Sequence, residues 1–102
     1  MIFVVATIDL RPGTRAALLA EFRKVVPLVR AEAGCLEYGP AVDVASGIAA
    51  QPPVRDDTVV VIEKWADLPA LQAHLTAPHM TDWRARVKDF VAGLRLDVLQ
   101  PA

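Results

Sequence analysis

Two histidines, one glutamate and one tryptophan are the residues with the most chemical potential in this sequence. Glu63 and Trp65 stand one residue apart at the end of a β-branched run. His74 and His79, the only histidines, lie on either side of Pro78. An imidazole near its ordinary pKa accepts or donates a proton at neutral pH, and a nearby carboxylate can hold its tautomer. The pattern therefore predicts acid–base chemistry by His79, His74 and Glu63.

Each of these residues also has a structural explanation. A histidine can simply cap a helix or complete a hydrogen bond in the core, and a large aromatic residue such as Trp65 is often only buried. Glu63 is harder to explain in this way, because a buried carboxylate needs a partner or a shifted pKa. Tyr38, the only tyrosine, could offer its hydroxyl to a ligand, although packing on a strand accounts for it more simply.

The sequence lacks the patterns of metal and nucleotide sites. His74 and His79 do not have the i, i+4 spacing of a helical metal-binding pair. Cys35 is the only cysteine, which excludes an internal disulfide and leaves too few thiols for the usual structural zinc sites. No glycine-rich dinucleotide loop occurs. We expect no metal, no cofactor and a reducing, cytoplasmic location.

The elements that must position these groups follow the order β-α-β-β-α-α-β. Strand patterns between turn signals cover residues 2–10, 35–44, 57–65 and 94–99. Apolar residues at helical spacing cover residues 14–33, 68–75 and 78–90. Pro27 predicts a kink in the first helix, Gly34 is expected to end it, and Gly93 is expected to precede the last strand.

This order predicts an α+β fold, a ferredoxin-like sheet with its helices on one face. At 102 residues the chain has room for a single domain, residues 1–102, and its 54% hydrophobic content is that of an ordered protein. Period-two alternation puts Glu63 and Trp65 on one face of the third strand and Lys64 on the other. Val60 and Ile62 make the second face apolar too, so we expect a second copy to cover it in a homodimer.

Charge and hydropathy exclude two classes of partner. The net charge of −1 gives no positive field for a nucleic acid. The apolar run at the start of the chain is interrupted by Asp9, far short of a membrane span, and lacks the features of a secretory leader.

Three segments together resemble the antibiotic biosynthesis monooxygenase family. They are residues 32–38 (EAGCLEY), 61–65 (VIEKW) and 71–80 (LQAHLTAPHM), which match in order and spacing. The resemblance covers essentially the whole chain and is greatest to the bacterial quinol monooxygenase branch. It implies a dimeric α+β barrel with ligand pockets between sheet and helices, and often oxygenation without flavin, haem or metal.

The resemblance further implies cofactor-independent oxidation of a small quinol or hydroxylated aromatic by dioxygen. A deprotonated quinol is electron-rich enough to pass an electron directly to dioxygen, so the protein need only bind the ring, assist deprotonation and exclude water. The catalytic candidates are His79, His74 and Glu63, and the substrate-binding candidates are Trp65 and Tyr38. His79 is the preferred base, because a helix start keeps a nearby imidazole neutral.

Other activities of the same family give alternatives. Haem-degrading members use an asparagine on the first strand and a histidine on the last helix, but these positions fall near Thr7 and Arg84 here. Other members isomerise small phosphorylated signalling sugars and share the two-histidine segment. A noncatalytic protein that binds small aromatic molecules is the third alternative.

Overall fold

The computed structural model describes residues 1–102, and its elements follow the predicted order. The strands are β1 (Ile2–Leu10), β2 (Cys35–Ala41), β3 (Thr58–Trp65) and β4 (Val91–Leu99). The helices are α1 (Arg15–Arg30), α2 (Leu68–Leu75) and α3 (Pro78–Val87). The strands form one antiparallel sheet in the order β2-β3-β1-β4. The predicted α+β, ferredoxin-like fold is confirmed.

Alternation along the strands directs one face of the sheet toward the core. In β1 every second residue is buried, namely Ile2, Val4, Ala6, Ile8 and Leu10. These side chains form one cluster with residues of all three helices, among them Leu18, Phe22, Val29, Leu71, Met80 and Trp83. The helices thus cover one face of the sheet, as predicted. None of them is both long and apolar enough to cross a bilayer.

The opposite face of the sheet, which we call the outer face, has no helix on it. Phe3, Val5 and Val60 are half-buried there, and Ile62 is 44% exposed. Val5 is paired with Ile62, so these side chains are direct neighbours on one surface. The outer face is therefore apolar at its centre.

The last strand begins earlier than predicted. β4 starts at Val91, not at residue 94, so the prediction that Gly93 breaks the chain before the strand was wrong. Gly93 lies opposite Asp9 in the ladder with β1, and a bulge follows between Asp9 and Leu10. Pairing with β1 extends the strand because it satisfies the backbone groups of these residues. Pro27 lies inside α1 without ending it.

The first helix ends earlier than predicted, at Arg30, and Gly34 lies in the turn that follows it, close to α2. Its φ is +81°, and an added Cβ would lie 2.6 Å from the Cβ of Ala70. The Gly34 carbonyl also accepts a hydrogen bond of 2.8 Å from the Ala66 amide. The turn therefore needs a residue without a side chain, both for its left-handed backbone and for the close approach of α2.

We expect Gly34→Ala to lower the free energy of unfolding by about 2 to 5 kcal/mol, from left-handed strain and overpacking together. Gly13→Ala is the matched control, since Gly13 has φ +80° but nothing within 4 Å of an added Cβ. The control should lose only the backbone part, about 1 to 2 kcal/mol. Thermal unfolding of the two variants measures the difference, and equal losses would contradict the packing contribution.

Residues 42–57, between β2 and β3, form a loop without helix or strand, and an ion pair links its two ends. The Arg55 guanidinium donates two hydrogen bonds of 2.9 Å to the Asp43 carboxylate. These bonds lower the pKa of Asp43 to about 2. The ion pair joins the two ends of the loop.

Candidate active site

A cavity of about 360 Å³ lies between the sheet and the helices. Twelve of the 16 residues that line it are hydrophobic, contributed by every strand and helix that packs in the core. The other four are Glu63, His74, Arg84 and Lys88, and Tyr38, one of the twelve, adds a hydroxyl group. Its volume and its few convergent polar groups are those of a small-molecule site.

Glu63 is a buried carboxylate in this wall. It faces the core because of its place in β3, where it lies between Val4 of β1 and Tyr38 of β2. The residue is only 6% exposed, and its Oε1 accepts a hydrogen bond of 2.9 Å from Nε1 of Trp65. Burial raises the pKa of Glu63, while the bond from Trp65 opposes the rise. A carboxyl group in this state is suited to proton transfer with a ligand.

Trp65 does not belong to the cavity wall. Its side chain is fully buried, and its ring lies against His74 with 4.7 Å between ring centroids. The indole N–H is used by Glu63. These contacts make Trp65 a residue that positions Glu63 and His74, whereas the sequence suggested contact with a ligand.

His74, on α2, lies in the wall beside Glu63. It is 2% exposed, and its Nε2 is 3.9 Å from Oε1 of Glu63. Its Nδ1 is 2.9 Å from Oε2 of Glu32. An ionised carboxylate only accepts, so Nδ1 is the donor to Glu32, and Nε2 is the ring nitrogen that faces Glu63.

His79, at the start of α3, is outside the cavity wall. Its Nε2 lies 2.8 Å from the same Oε2 atom of Glu32, and its side chain is 24% exposed. The imidazole is therefore linked to His74 through a carboxylate. A ligand in the cavity would meet His74 and Glu63 first.

Glu32 is the residue that sequence reasoning missed. It appeared only as a polar position at the end of the first helix pattern and within the segment 32–38 that carries the family resemblance. The turn at Gly34 carries it to α2 and α3, where one oxygen contacts both imidazoles. Hydrogen bonds join His79, Glu32 and His74, and Glu63 follows at 3.9 Å from His74. We call these four residues, which run from the protein surface to the cavity, the relay.

Two aromatic side chains offer further donors to the cavity. Tyr38 stacks on Phe22 with 5.7 Å between ring centroids. Burial raises the pKa of Tyr38, which keeps its hydroxyl protonated at neutral pH. The indole N–H of Trp83 is buried without a hydrogen-bond partner, a costly arrangement that a ligand oxygen could relieve. The sequence indicated only an apolar helix position for Trp83.

Three other possibilities concern a metal site, the thiol of Cys35 and the position of Thr7. No group of three or more His, Cys, Asp and Glu side chains is arranged to hold a metal ion. Burial raises the pKa of Cys35, which disfavours the reactive thiolate. Thr7, one of the positions aligned with haem-degrading members, lies on the outer face opposite Val60, away from the cavity.

Comparison with known proteins identifies a matching family and a relative that is similar over nearly its full length. Residues 1–86 match the family described as Antibiotic biosynthesis monooxygenase. The chain is 42% identical over 103 residues to "Probable quinol monooxygenase YgiN" of Escherichia coli K12, covering 99% of this chain and 98% of that protein.

Two solved structures have a fold similar to that of this chain. The crystal structure of PA3566 from Pseudomonas aeruginosa has a TM-score of 0.82 at 29% identity and covers 99% of this chain and 93% of that chain. The structure of Rv0793 from Mycobacterium tuberculosis has a TM-score of 0.79 at 28% identity and covers 99% of this chain and 94% of that chain.

Proposed function

The chain belongs to the antibiotic biosynthesis monooxygenase family, and from this premise we propose that it oxidises a small quinol or hydroxylated aromatic with dioxygen. The electrons come from the substrate itself, without a flavin, haem or metal. The observation that carries the proposal is the buried Glu63 carboxyl group, which has a raised pKa and lies in the wall of an apolar cavity beside His74.

The proposed reaction converts one quinol and one dioxygen into one hydroxyquinone and one water. Loss of a proton from the quinol gives a quinolate, which passes one electron to dioxygen. The resulting semiquinone and superoxide combine at a ring carbon, and protonation gives a hydroperoxide. Cleavage of the O–O bond releases the outer oxygen as hydroxide. The ring carbon loses its hydrogen as a proton, which joins the hydroxide to form water, and becomes a carbonyl.

The first of these steps needs a base, and we assign that role to Glu63, with His74 next to it. From His74 the proton has a path through Glu32 to His79, whose side chain reaches solvent. His79, which the sequence favoured as the base, is instead assigned to the solvent-exposed end of the relay. Tyr38 is the proposed donor to a ligand oxygen, and Trp65 holds the base in place.

The apolar cavity also distinguishes the alternatives. A phosphorylated sugar would bring many hydroxyl groups into a wall that is mostly hydrophobic, which is unfavourable without partners for them. An isomerase or a noncatalytic aromatic-binding protein would consume no dioxygen. Oxygen uptake therefore separates the proposed function from both.

The test is an oxygen-electrode assay of purified protein with chemically reduced quinols. We expect one dioxygen consumed per quinol, a hydroxylated quinone as product, and no change after treatment with EDTA. Heat-denatured protein is the control for spontaneous autoxidation. Loss of activity with EDTA and its recovery with one metal would overturn the cofactor-independent mechanism, and binding without uptake would favour the noncatalytic alternative.

We also propose that the active form is a homodimer. Val5, Val60 and Ile62 on the outer face would be removed from water by a second copy. The single free cysteine, Cys35, favours a reducing compartment, and we place the protein in the cytoplasm on that ground.

A prediction about pH follows from the bond between Trp65 and Glu63. The Trp65→Phe variant keeps an aromatic ring but removes the donor that opposes the rise in the pKa of Glu63. A base is active above its pKa, so the acidic limb of the kcat profile should move to higher pH. Glu21→Gln, which changes a carboxylate on α1 outside the cavity wall, serves as the control and should leave the limb in place. An unmoved limb in Trp65→Phe would contradict Glu63 as the titrating base.

A further inference from the structure

Two cations stand at the open end of the cavity. Arg84 lies on α3, and Lys88, which follows the last residue of α3, keeps helical backbone angles. Both line the cavity and both are exposed. Residues four apart share one side of a helix, so the two charges border the same opening. Glu63 and His74, nearly inaccessible, mark its closed end.

Neither cation is neutralised by a carboxylate of the chain. Arg84 donates one hydrogen bond, from Nη2 to the Leu75 carbonyl at 2.6 Å, which leaves other guanidinium N–H groups free. Arg86, on the same helix, is instead paired with Glu21 at 3.0 Å. Glu63 is the only carboxylate in the cavity wall. The cavity therefore has a positive opening and one acidic group at its closed end.

The positive charge of Arg84 also affects the buried hydroxyl group of Tyr38. Burial raises the pKa of Tyr38, and the Arg84 guanidinium opposes that rise. Basic residues near the end of a helix offset its dipole, which explains a basic last turn in general. The dipole does not explain why the two unpaired cations border an otherwise apolar cavity.

We infer that the substrate carries an acidic group, a carboxylate or sulfonate, set apart from its hydroxylated ring, and that Arg84 and Lys88 bind this group. The inference rests on the proposed function and narrows its substrate class. A guanidinium binds a carboxylate through paired hydrogen bonds, and an ammonium adds a second positive charge. Glu63 repels an acidic group from the closed end. The charges thus orient the ligand with its hydroxyl toward Glu63 and His74.

The experiment compares two probes of nearly equal size, a naphthohydroquinone with a carboxymethyl group and the corresponding amide. For the wild-type protein we expect kcat/KM in oxygen uptake to favour the acid by about 10- to 100-fold, as for a hydrogen bond to a charged group. The double variant Arg84→Gln/Lys88→Gln should reduce this ratio to near one. Arg11→Gln/Arg23→Gln removes the same charge from exposed positions outside the cavity wall and should keep the ratio.

Anaerobic titration of tryptophan fluorescence with the same probes gives the dissociation constants without turnover. The acid should bind more tightly than the amide, and the preference should shrink at high salt. Equal affinity and equal kcat/KM for the two probes would overturn the inference. An equal loss for both probes in the double variant would also overturn it. Preference in binding without oxygen uptake would support the acidic ligand class and reject the proposed oxidation.

Discussion

The Glu63→Gln variant is expected to oxidise quinols about 10²- to 10⁴-fold more slowly than the wild type, the range typical of losing a general base. Glutamine has nearly the same shape, and its amide oxygen can still accept the bond from Trp65 that Glu63 Oε1 accepts at 2.9 Å. An amide cannot take a proton from the substrate. The loss should therefore fall on kcat, with little change in anaerobic binding of the quinol.

Stability provides an independent readout for the same variant. A carboxyl group whose pKa is raised by folding stabilises the protein below its unfolded pKa, and this contribution is lost as pH rises through the folded pKa. Glutamine removes the buried charge, so Glu63→Gln should gain stability relative to the wild type as pH increases. Denaturant unfolding across pH measures the trend. A falling relative stability would contradict a raised pKa.

Two further variants complete the test of the base. Glu21→Gln makes the same chemical change on α1, where the carboxylate pairs with Lys24 at 3.0 Å, and should leave turnover unchanged. His79→Ala should lose less than about 10-fold, because water can replace the exposed end of a relay. Near-wild-type turnover in Glu63→Gln together with a large loss in His79→Ala would restore His79 as the base.

Placing a charge on the outer face should separate the subunits. In Ile62→Lys, each copy of a symmetric dimer would bury an unpaired ammonium, at roughly 3 kcal/mol each. The two costs together raise the dissociation constant of the dimer by about 10⁴-fold. Light scattering at micromolar concentration should report the dimer mass for the wild type and the chain mass for the variant.

The control for this prediction is Ile48→Lys. Ile48 is 67% exposed and lies in the loop of residues 42–57, outside the four strands. The control adds the same charge and should remain a dimer. A wild-type monomer at this concentration would contradict the homodimer itself, and a dimeric Ile62→Lys would move the interface to another surface.

Local patterns explain what the sequence could predict. The shared face of Glu63 and Trp65 followed from the period of two along β3, because alternation is a property of the strand alone. The order of elements followed from turn residues and periodicity. The start of β4 did not, because pairing with β1 outweighed the local tendency of Gly93 to interrupt a strand.

The centre of the site was beyond such reasoning. Glu32 contacts His74 and His79, which follow it by 42 and 47 residues, and only the packing of three helix ends brings them together. The exclusion of His79 and Trp65 from the cavity wall likewise depends on tertiary packing. Residue types and spacing identified the chemically important side chains, but the order of contacts among them is a property of the folded chain.

The position of β1 between β3 and β4 has a consequence for protein synthesis. Both partners of β1 emerge from the ribosome later than β1 does, and β4 is the last of the four strands to be translated. Val91, Leu94 and Leu96 of that strand form part of the cavity wall. A nascent chain therefore cannot complete the cavity, and β1 lacks one of its two partner strands, until β4 has been translated.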